Sequence, residues 1–198
     1  MTVTAIVLAA GQGSRFRAVA GADQDKLLAD CVGLDRVTRP VIEQVLVNLP
    51  DDVVERWVVT SPDRLEVIRL AETYGCKVLL LRSAGMGDSI AAAVAASGSA
   101  KGWLVVLGDM PFIRSSSIEQ VIDALEEGGI SVPMQDGQYG HPVAFDQAFA
   151  PGLMALTGDR GAKPLFAQAT VCEVCVDDPG VLWDVDLPGS LMFTPLQR

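Results

Sequence analysis

The chain has 198 residues, of which 49% are hydrophobic, and a formal net charge of -10. This size favours one domain over residues 1–198, and the acidity argues against nucleic-acid binding, because a phosphate backbone requires an excess of Lys and Arg at the contact face. Since no apolar run is long enough to cross a bilayer and the first residues lack a signal-peptide pattern, we expect a cytoplasmic protein without a membrane partner.

Apolar runs with strand character alternate with helical patterns along the chain. The predicted strands lie at residues 5–9, 57–60, 78–81, 103–107, 130–132, 143–145 and 171–176. The predicted helices lie at 38–49, 64–74, 88–96 and 116–127, the last with the serines 115–117 as candidate caps. Residues 17–26 are expected to form a polar loop.

This alternation predicts an α/β fold, a three-layer sandwich with a Rossmann-like, mostly parallel sheet covered on both faces. The later short strands, joined by the turn-rich residues 134–140, are expected to form an appended antiparallel β-region.

The first predicted strand runs directly into a glycine-bearing turn, Leu-Ala-Ala-Gly-Gln-Gly-Ser-Arg, which starts at Leu8. Without a Cβ in the way, successive backbone N–H groups of such a turn can point at phosphate oxygens. The turn lacks both the Lys-Ser/Thr ending of a P-loop and the third glycine of a dinucleotide fingerprint, and a purely structural turn is the alternative. The candidate nucleotide-binding residues here are Leu8, Ala9, Ala10, Gly11, Gly13, Ser14, Arg15 and Lys26.

Two groups of carboxylates follow predicted strands. Asp109 comes just after the run 103–107, and Asp184 and Asp186 follow the last run. Ligands of open α/β sheets lie beyond the carboxyl ends of the strands, and carboxylates there suit a hard cation such as Mg²⁺. A helix cap at Asp109 and a solvated acidic turn at 184–186 are the alternatives.

Three further motifs are candidates for ligand contacts. Gly87 and Ser89 precede a helix of small residues, whose first amides could meet a ligand, although Ser89 could equally be a plain N-cap. His141 is the single histidine, which is more often a structural residue, and Asp159 and Lys163 lie in a Gly-Asp-Arg-Gly-Ala-Lys run that alone would be a surface turn.

The cysteines form no disulfide-scaffold pattern, and Cys172 and Cys175 would face opposite sides of a strand, so we expect no metal there.

Taken in order, these motifs resemble the molybdenum cofactor cytidylyltransferases, which belong to the nucleotide-diphospho-sugar transferase superfamily. The matching segments are Leu-Ala-Ala-Gly-x-Gly-x-Arg from Leu8, Gly-Met-Gly-x-Ser-Ile from Gly85, Leu-Gly-Asp-Met-Pro from Leu107, Gly-His-Pro-Val-x-Phe from Gly140, Gly-Asp-Arg-Gly-Ala-Lys from Gly158 and Asp-x-Asp-x-Pro from Asp184. The stretch from Arg15 to Lys26 is several residues longer than is usual in that family, and Leu187 and the pair Gly189-Ser190 replace its common Thr and acidic residue.

The resemblance implies a Mg²⁺-dependent transfer of CMP from CTP to molybdopterin, with CTP favoured by Ala9 and Ala10. It implies Arg15, Lys26 and Asp109 as catalytic residues, Asp109 and Asp186 as metal ligands, Gly87 as a nucleotide-binding residue, and Ser89 near the ribose or base. It divides the chain into a nucleotide-binding half of about residues 1–110 and an acceptor-binding half of about residues 111–198. It places His141, Asp159 and Lys163 at the acceptor. A monomer or weak dimer is expected, with a molybdoenzyme as a further partner. The alternatives are GTP, another small acceptor, or a non-catalytic carrier of a pterin or nucleotide.

Overall fold

The computed structural model describes residues 3–51, 53, 55–82 and 85–195. The strands are β1 (Thr4–Ala9), β2 (Asp30–Val32), β3 (Thr38–Pro40), β4 (Glu55–Thr60), β5 (Lys77–Leu80), β6 (Gly102–Leu107), β7 (Gly129–Gln135), β8 (Gln138–Tyr139), β9 (Val143–Asp146) and β10 (Thr170–Cys175). The α-helices are α1 (Ser14–Ala20), α2 (Val41–Val47), α3 (Leu65–Thr73), α4 (Met86–Ala96), α5 (Ser115–Asp123) and α6 (Ala150–Met154). Short 3₁₀ helices span Gln147–Phe149, Lys163–Gln168, Pro179–Leu182 and Pro188–Leu191.

Eight strands form one mixed sheet in the order β10-β7-β9-β6-β1-β4-β5, with β8 paired to β7. The pairs β1–β4, β1–β6, β4–β5 and β7–β10 are parallel, whereas β9 is antiparallel to both β6 and β7. The strands β2 and β3 form a separate antiparallel ribbon. The predicted Rossmann-like α/β fold is therefore confirmed.

Alternating side chains of the central strands build two cores, one on each face of the sheet. In β1, Ala5 and Val7 pack into one core, and Ile6 packs into the other. Helices α2, α3 and α5 cover the first face, and α4 and α6 cover the second. Apolar residues at every position of a buried parallel strand thus produce the predicted three layers.

Strands β7 and β9, which residues 134–140 join, are antiparallel as predicted, whereas the last strand, β10, runs parallel to β7. Residues 147–169 connect β9 to β10 and contain α6 and two 3₁₀ helices. A connection of that length allows the crossover that a parallel pair requires.

The predicted helix 38–49 begins later than expected, at Val41, because Thr38–Pro40 is strand β3. A proline and the residue before it favour extended backbone, which here delays the helix. The other three predicted helices are present as α3, α4 and α5, but the serines 115–117 do not cap α5. Its N-cap is Arg114, and the Ser117 hydroxyl donates instead to Asp178 at 2.7 Å.

The predicted polar loop 17–26 is helical in its first part, because α1 extends to Ala20. Phe16 is 2% exposed and anchors this helix to the core. The longest helix, α4, has 11 residues, and no helix in the described ranges has the length and apolar character that a bilayer span needs.

Candidate active site

The candidate site lies at the carboxyl ends of two neighbouring parallel strands, β1 and β6. Strand β4 pairs with the other side of β1, so the chain connections diverge at this point and leave a crevice, as in other open α/β sheets. The crevice has a volume of about 600 Å³. Its lining residues are Leu8, Ala9, Ala10, Gly11, Gln12, Ser14, Lys26, Leu27, Gly85, Met86, Ser89, Leu107, Asp109 and Asp159.

The glycine turn forms the floor of this cleft. Gly13 has a φ of +62°, a left-handed conformation that glycine adopts without strain, and it precedes the first residue of α1. A Cβ at Gly13 would also approach Lys26 Cγ to 3.3 Å, whereas a Cβ at Gly11 would meet nothing within 4 Å. Gly13 therefore allows the Lys26 side chain to cross the turn, and Gly11 borders open space.

Lys26 reaches the site despite the long segment before it. Its Nζ lies 2.5 Å from Asp109 Oδ2 and 3.6 Å from Asp186 Oδ1, and its side chain is 12% exposed. Arg15 Nη1 lies 2.6 Å from Asp186 Oδ2. The structure thus brings both predicted phosphate-binding cations together with both predicted metal carboxylates.

A backbone hydrogen bond sets the position of Asp186. The Val185 N–H donates to the Asp109 carbonyl at 2.9 Å, and the Val185 side chain is fully buried. The alternation of an extended segment then places Asp184 and Asp186 on the side opposite Val185. Partial burial and the negative charges of Asp186 and Asp109 raise the pKa of the Asp184 carboxyl.

The carboxylate oxygens of Asp109 and Asp186 have the hard donor character that Mg²⁺ prefers. One ammonium group contacts both side chains, so their spacing admits a shared cation. Across the described ranges, no three His, Cys, Asp or Glu side chains converge as a metal-binding group. A metal here would therefore need phosphate or water oxygens in addition to these two carboxylates.

The Gly85–Asp88 segment packs against the segment 157–161. The Gly87 N–H donates to the Gly158 carbonyl at 2.8 Å, and the Gly158 N–H donates to Asp88 Oδ1 at 3.1 Å. A Cβ at Gly87 would lie 2.6 Å from the Arg160 carbonyl oxygen, so this contact requires glycine. The junction carries Asp159 into the cleft.

Ser89 lines the cleft but does not cap α4, whose N-cap is Gly85. The Ser89 side chain is buried, and its hydroxyl donates to the Gly85 carbonyl at 3.2 Å.

A second, apolar pocket of about 180 Å³ adjoins the cleft, and Met86 lines both. His141 and Lys163 line this pocket, together with Ile90, Val105, Val132, Tyr139, Gly140, Val143, Phe145, Ala162 and Phe166. Burial lowers the pKa of His141 to about 4, although the nearby Asp109 charge opposes this shift. Its imidazole is therefore neutral at neutral pH, and Nδ1 is buried with no hydrogen-bond partner among the described residues.

A glycine turn, two cations and two carboxylates at the ends of β1 and β6 form a site suited to a nucleoside triphosphate. Residues 5–173 match the family of MobA-like NTP transferase domains. The chain belongs to this family. The bifunctional protein GlmU of Maricaulis maris (strain MCS10) is 32% identical over an alignment 198 residues long. The alignment covers 96% of this chain and 39% of that protein. The transferase domain described here thus spans about two-fifths of that relative's length.

Solved structures share the fold of this NTP transferase domain over nearly the whole chain. A nucleotidyl transferase from Methanothermobacter superposes with a TM-score of 0.79 at 21% identity and covers 96% of this chain and 94% of its own. The Rv0371c homologue from Mycobacterium sp. strain JC1 superposes with a TM-score of 0.76 at 26% identity and covers 95% and 92%. A cytidylyltransferase from Leptospira borgpetersenii, 13% identical with a TM-score of 0.69 and covering 94% and 82%, shows the shared fold alone.

Thr60 and Arg64 also hold the glycine turn of this NTP transferase domain, although neither lies in one of the sequence motifs. The Thr60 hydroxyl and Arg64 Nη1 both donate to the Ala9 carbonyl, at 3.3 and 3.0 Å. Arg64 Nη2 also donates to the Gly11 carbonyl at 2.5 Å. Both residues lie at or just after the carboxyl end of β4, which pairs with β1, but no motif in the sequence marks their carbonyl partners.

Proposed function

We propose that this NTP transferase domain transfers CMP from CTP to a molybdopterin-type acceptor and releases pyrophosphate in a Mg²⁺-dependent reaction. One observation carries the proposal. The glycine turn, Lys26 and the carboxylates of Asp109 and Asp186 meet at the ends of β1 and β6. This set joins phosphate-binding and metal-binding chemistry in one cleft.

The charges of the site support a triphosphate bound together with a cation. Lys26 and Arg15 pair with Asp109 and Asp186 in the chain alone. Phosphate oxygens would take the contacts of the two basic side chains, and Asp109 and Asp186 would then hold Mg²⁺. The chemistry supplied by bound Mg²⁺ would be neutralisation of the negative charge on the phosphates.

The residues of the chain would mainly align the reactants and neutralise charge, because nucleotidyl transfer requires little covalent chemistry of the protein. A terminal phosphate oxygen of the acceptor attacks the α-phosphorus of CTP in line. The bond from the α-phosphorus to the bridging oxygen breaks, and pyrophosphate leaves with that electron pair. The backbone N–H groups near Gly11 and Gly13, with Arg15 and Lys26, would hold the departing β- and γ-phosphates.

The preference for CTP depends on the edge of the glycine turn. Ala9 is 1% exposed and its Cβ lies in the core near Gly108, so its methyl group does not limit the cleft. Ala10 is partly exposed and lines the cleft. A methyl group there leaves less room than glycine for a purine, which favours cytosine, and GTP is the alternative.

The adjoining apolar pocket supports an acceptor with a flat heterocycle. Phe145, Phe166 and the neutral His141 line it. Lys163 at the same pocket suits an acceptor phosphate, and Asp159 lies between pocket and cleft. A pterin combines these properties.

The same proposal assigns the nucleotide to about residues 1–110 and the acceptor to about residues 111–198. It also includes a cytoplasmic location, a monomer or weak dimer, and delivery of the product to a molybdoenzyme.

Pyrophosphate release tests the proposal directly. The protein is incubated with Mg²⁺, molybdenum cofactor and each of CTP, GTP, ATP and UTP in turn, with Asp109→Ala as the control. We expect the highest rate with CTP and a rate at least about 10³-fold lower in the control. A highest rate with GTP favours the guanylyl alternative, and nucleotide binding without pyrophosphate favours a non-catalytic carrier.

A further inference from the structure

Arg64 holds three groups behind the cleft with one guanidinium. Its Nη1 donates to the Ala9 carbonyl at 3.0 Å, its Nη2 to the Gly11 carbonyl at 2.5 Å, and its Nε lies 3.5 Å from Asp25 Oδ2. The Arg64 side chain is only 8% exposed. A planar group with several fixed donors can serve such divergent acceptors at once, whereas an ammonium group cannot hold the same geometry.

The two carbonyls that Arg64 binds lie where the sheet ends. The pairing of β1 with β4 stops at Ala9 opposite Thr60, so the turn beyond Ala9 has no neighbouring strand to satisfy its carbonyls. Ala9 is buried, so its carbonyl requires a hydrogen-bond partner within the protein, and Thr60 and Arg64 supply it.

These contacts also set the direction of the amides that face the cleft. In a trans peptide the N–H points away from the preceding C=O, so the N–H groups of Ala10 and Gln12 point opposite to the carbonyls that Arg64 binds. Ala10 and Gln12 both line the cleft. Arg64 therefore fixes the turn from behind, on the side away from a ligand.

The contact with Asp25 links this turn to the segment that carries Lys26. Asp25 Oδ1 accepts from the Leu27 N–H at 3.0 Å, while Oδ2 faces Arg64. The Asp25 side chain is 16% exposed, so its charge is partly desolvated. Arg64 and Asp25 thus hold the backbone on both sides of Lys26.

We propose that Arg64 is a positioning residue that holds the glycine turn and the Lys26 segment in the arrangement required by the triphosphate. The proposal deepens the nucleotidyltransferase function above and rests on it. Arg64 acts through the backbone of both segments.

Hydrogen exchange of the nucleotide-free protein tests the positioning without any assay of activity. In Arg64→Met we expect exchange in segments 8–14 and 22–28 to become about tenfold faster or more, the scale of one lost hydrogen bond to a charged group. Arg69→Met is the matched control, because Arg69 lies on α3 with a 71% exposed side chain and pairs with Glu66 only at the surface. Arg64→Lys should give an intermediate change, which keeps the test valid if Arg64→Met does not fold.

Asp25→Asn distinguishes the effect of Arg64 on the Lys26 segment from its effect on the glycine turn. The amide keeps an acceptor for the Leu27 N–H but loses the ion pair with Arg64. It should speed exchange in 22–28 and leave 8–14 unchanged. Wild-type exchange in both segments of Arg64→Met and Arg64→Lys would overturn the proposal, and so would equal changes in Arg69→Met.

Calorimetric titration with inorganic triphosphate then links the positioning to binding. We expect about tenfold weaker affinity in Arg64→Met, partial recovery in Arg64→Lys, and wild-type affinity in Arg69→Met. Unchanged affinity in Arg64→Met would overturn the assignment. If wild-type protein transfers no nucleotidyl group, the proposed function fails, whereas exchange and triphosphate binding still report on Arg64.

Discussion

Replacement of Asp109 by Ala should separate catalysis from folding. The Asp109 side chain is 21% exposed and accepts one hydrogen bond from Lys26 at 2.5 Å. Its backbone carbonyl, which accepts from Val185 N–H, is kept in the variant. The loss of one hydrogen bond between charged groups costs about 1.5–3 kcal/mol, and Lys26 retains Asp186 as a partner at 3.6 Å. We expect a net loss of about 1–2 kcal/mol, or roughly 2–8 °C in melting temperature.

The expected effect of Asp109→Ala on turnover is much larger. Removal of one group that stabilises the charge developing at a reacting centre lowers the rate by a factor of about 10²–10³. Loss of a metal ligand should lower it by at least the upper end of this range. Pyrophosphate release is measured over a range of Mg²⁺ concentrations, beside a thermal melt of each protein. Asp51→Ala is the control, since that carboxylate is fully exposed and lies 4.0 Å from Arg56, away from the cleft. Wild-type turnover of Asp109→Ala at saturating Mg²⁺ would refute the assignment.

Three further predictions concern the metal, the base and the buried imidazole. Asp186→Asn should weaken the use of Mg²⁺ more than Asp184→Asn does, because Asp186 contacts Lys26 and Arg15, and the reverse order in kinetic titrations would make Asp184 the ligand. Calorimetric titration of the Mg²⁺-loaded protein should show CTP preferred over GTP by roughly 10- to 200-fold, with a smaller ratio in Ala10→Gly, and equal or inverted affinities would contradict this. His141 has a folded pKa of about 4 against an ordinary value of 6.5, so it stabilises the metal-free protein above pH 6.5 and this contribution is lost as the pH falls towards 4. In denaturant titrations the wild type should lose up to about 3 kcal/mol relative to His141→Gln over that range, and parallel pH profiles would show that burial does not shift this pKa.

The sequence predicts the seven longer strands of the main sheet, because these are apolar runs, but it misses the short strands β2, β3 and β8. It also predicts that Asp109 and the glycine turn lie close together, since both follow strands that are neighbours in a parallel sheet. The predicted start of α2 was wrong, and the parallel pairing of β10 with β7 was not predicted. A short run carries no information on its partner strand, and Pro40 is compatible with both a strand end and the first turn of a helix.

The position of Lys26 and the role of Arg64 could not be read from motif spacing. Lys26 reaches Asp109 because α1 shortens the path of the long segment and because Gly13 leaves space for its side chain. Arg64 contacts carbonyl groups, and any residue type can offer a carbonyl, so no residue pattern marks its partners. Contacts between side chains and distant backbone require the three-dimensional structure.

The fate of the α-phosphate of CTP tests the central claim most directly. The protein is incubated with Mg²⁺, molybdenum cofactor and CTP that is radiolabelled at either the α- or the γ-phosphate, and the acceptor is separated from pyrophosphate. We predict that the α-label appears in the acceptor and that the γ-label appears only in pyrophosphate. Absence of α-label in the acceptor, or transfer of the γ-label to it, would contradict nucleotidyl transfer from CTP at this site.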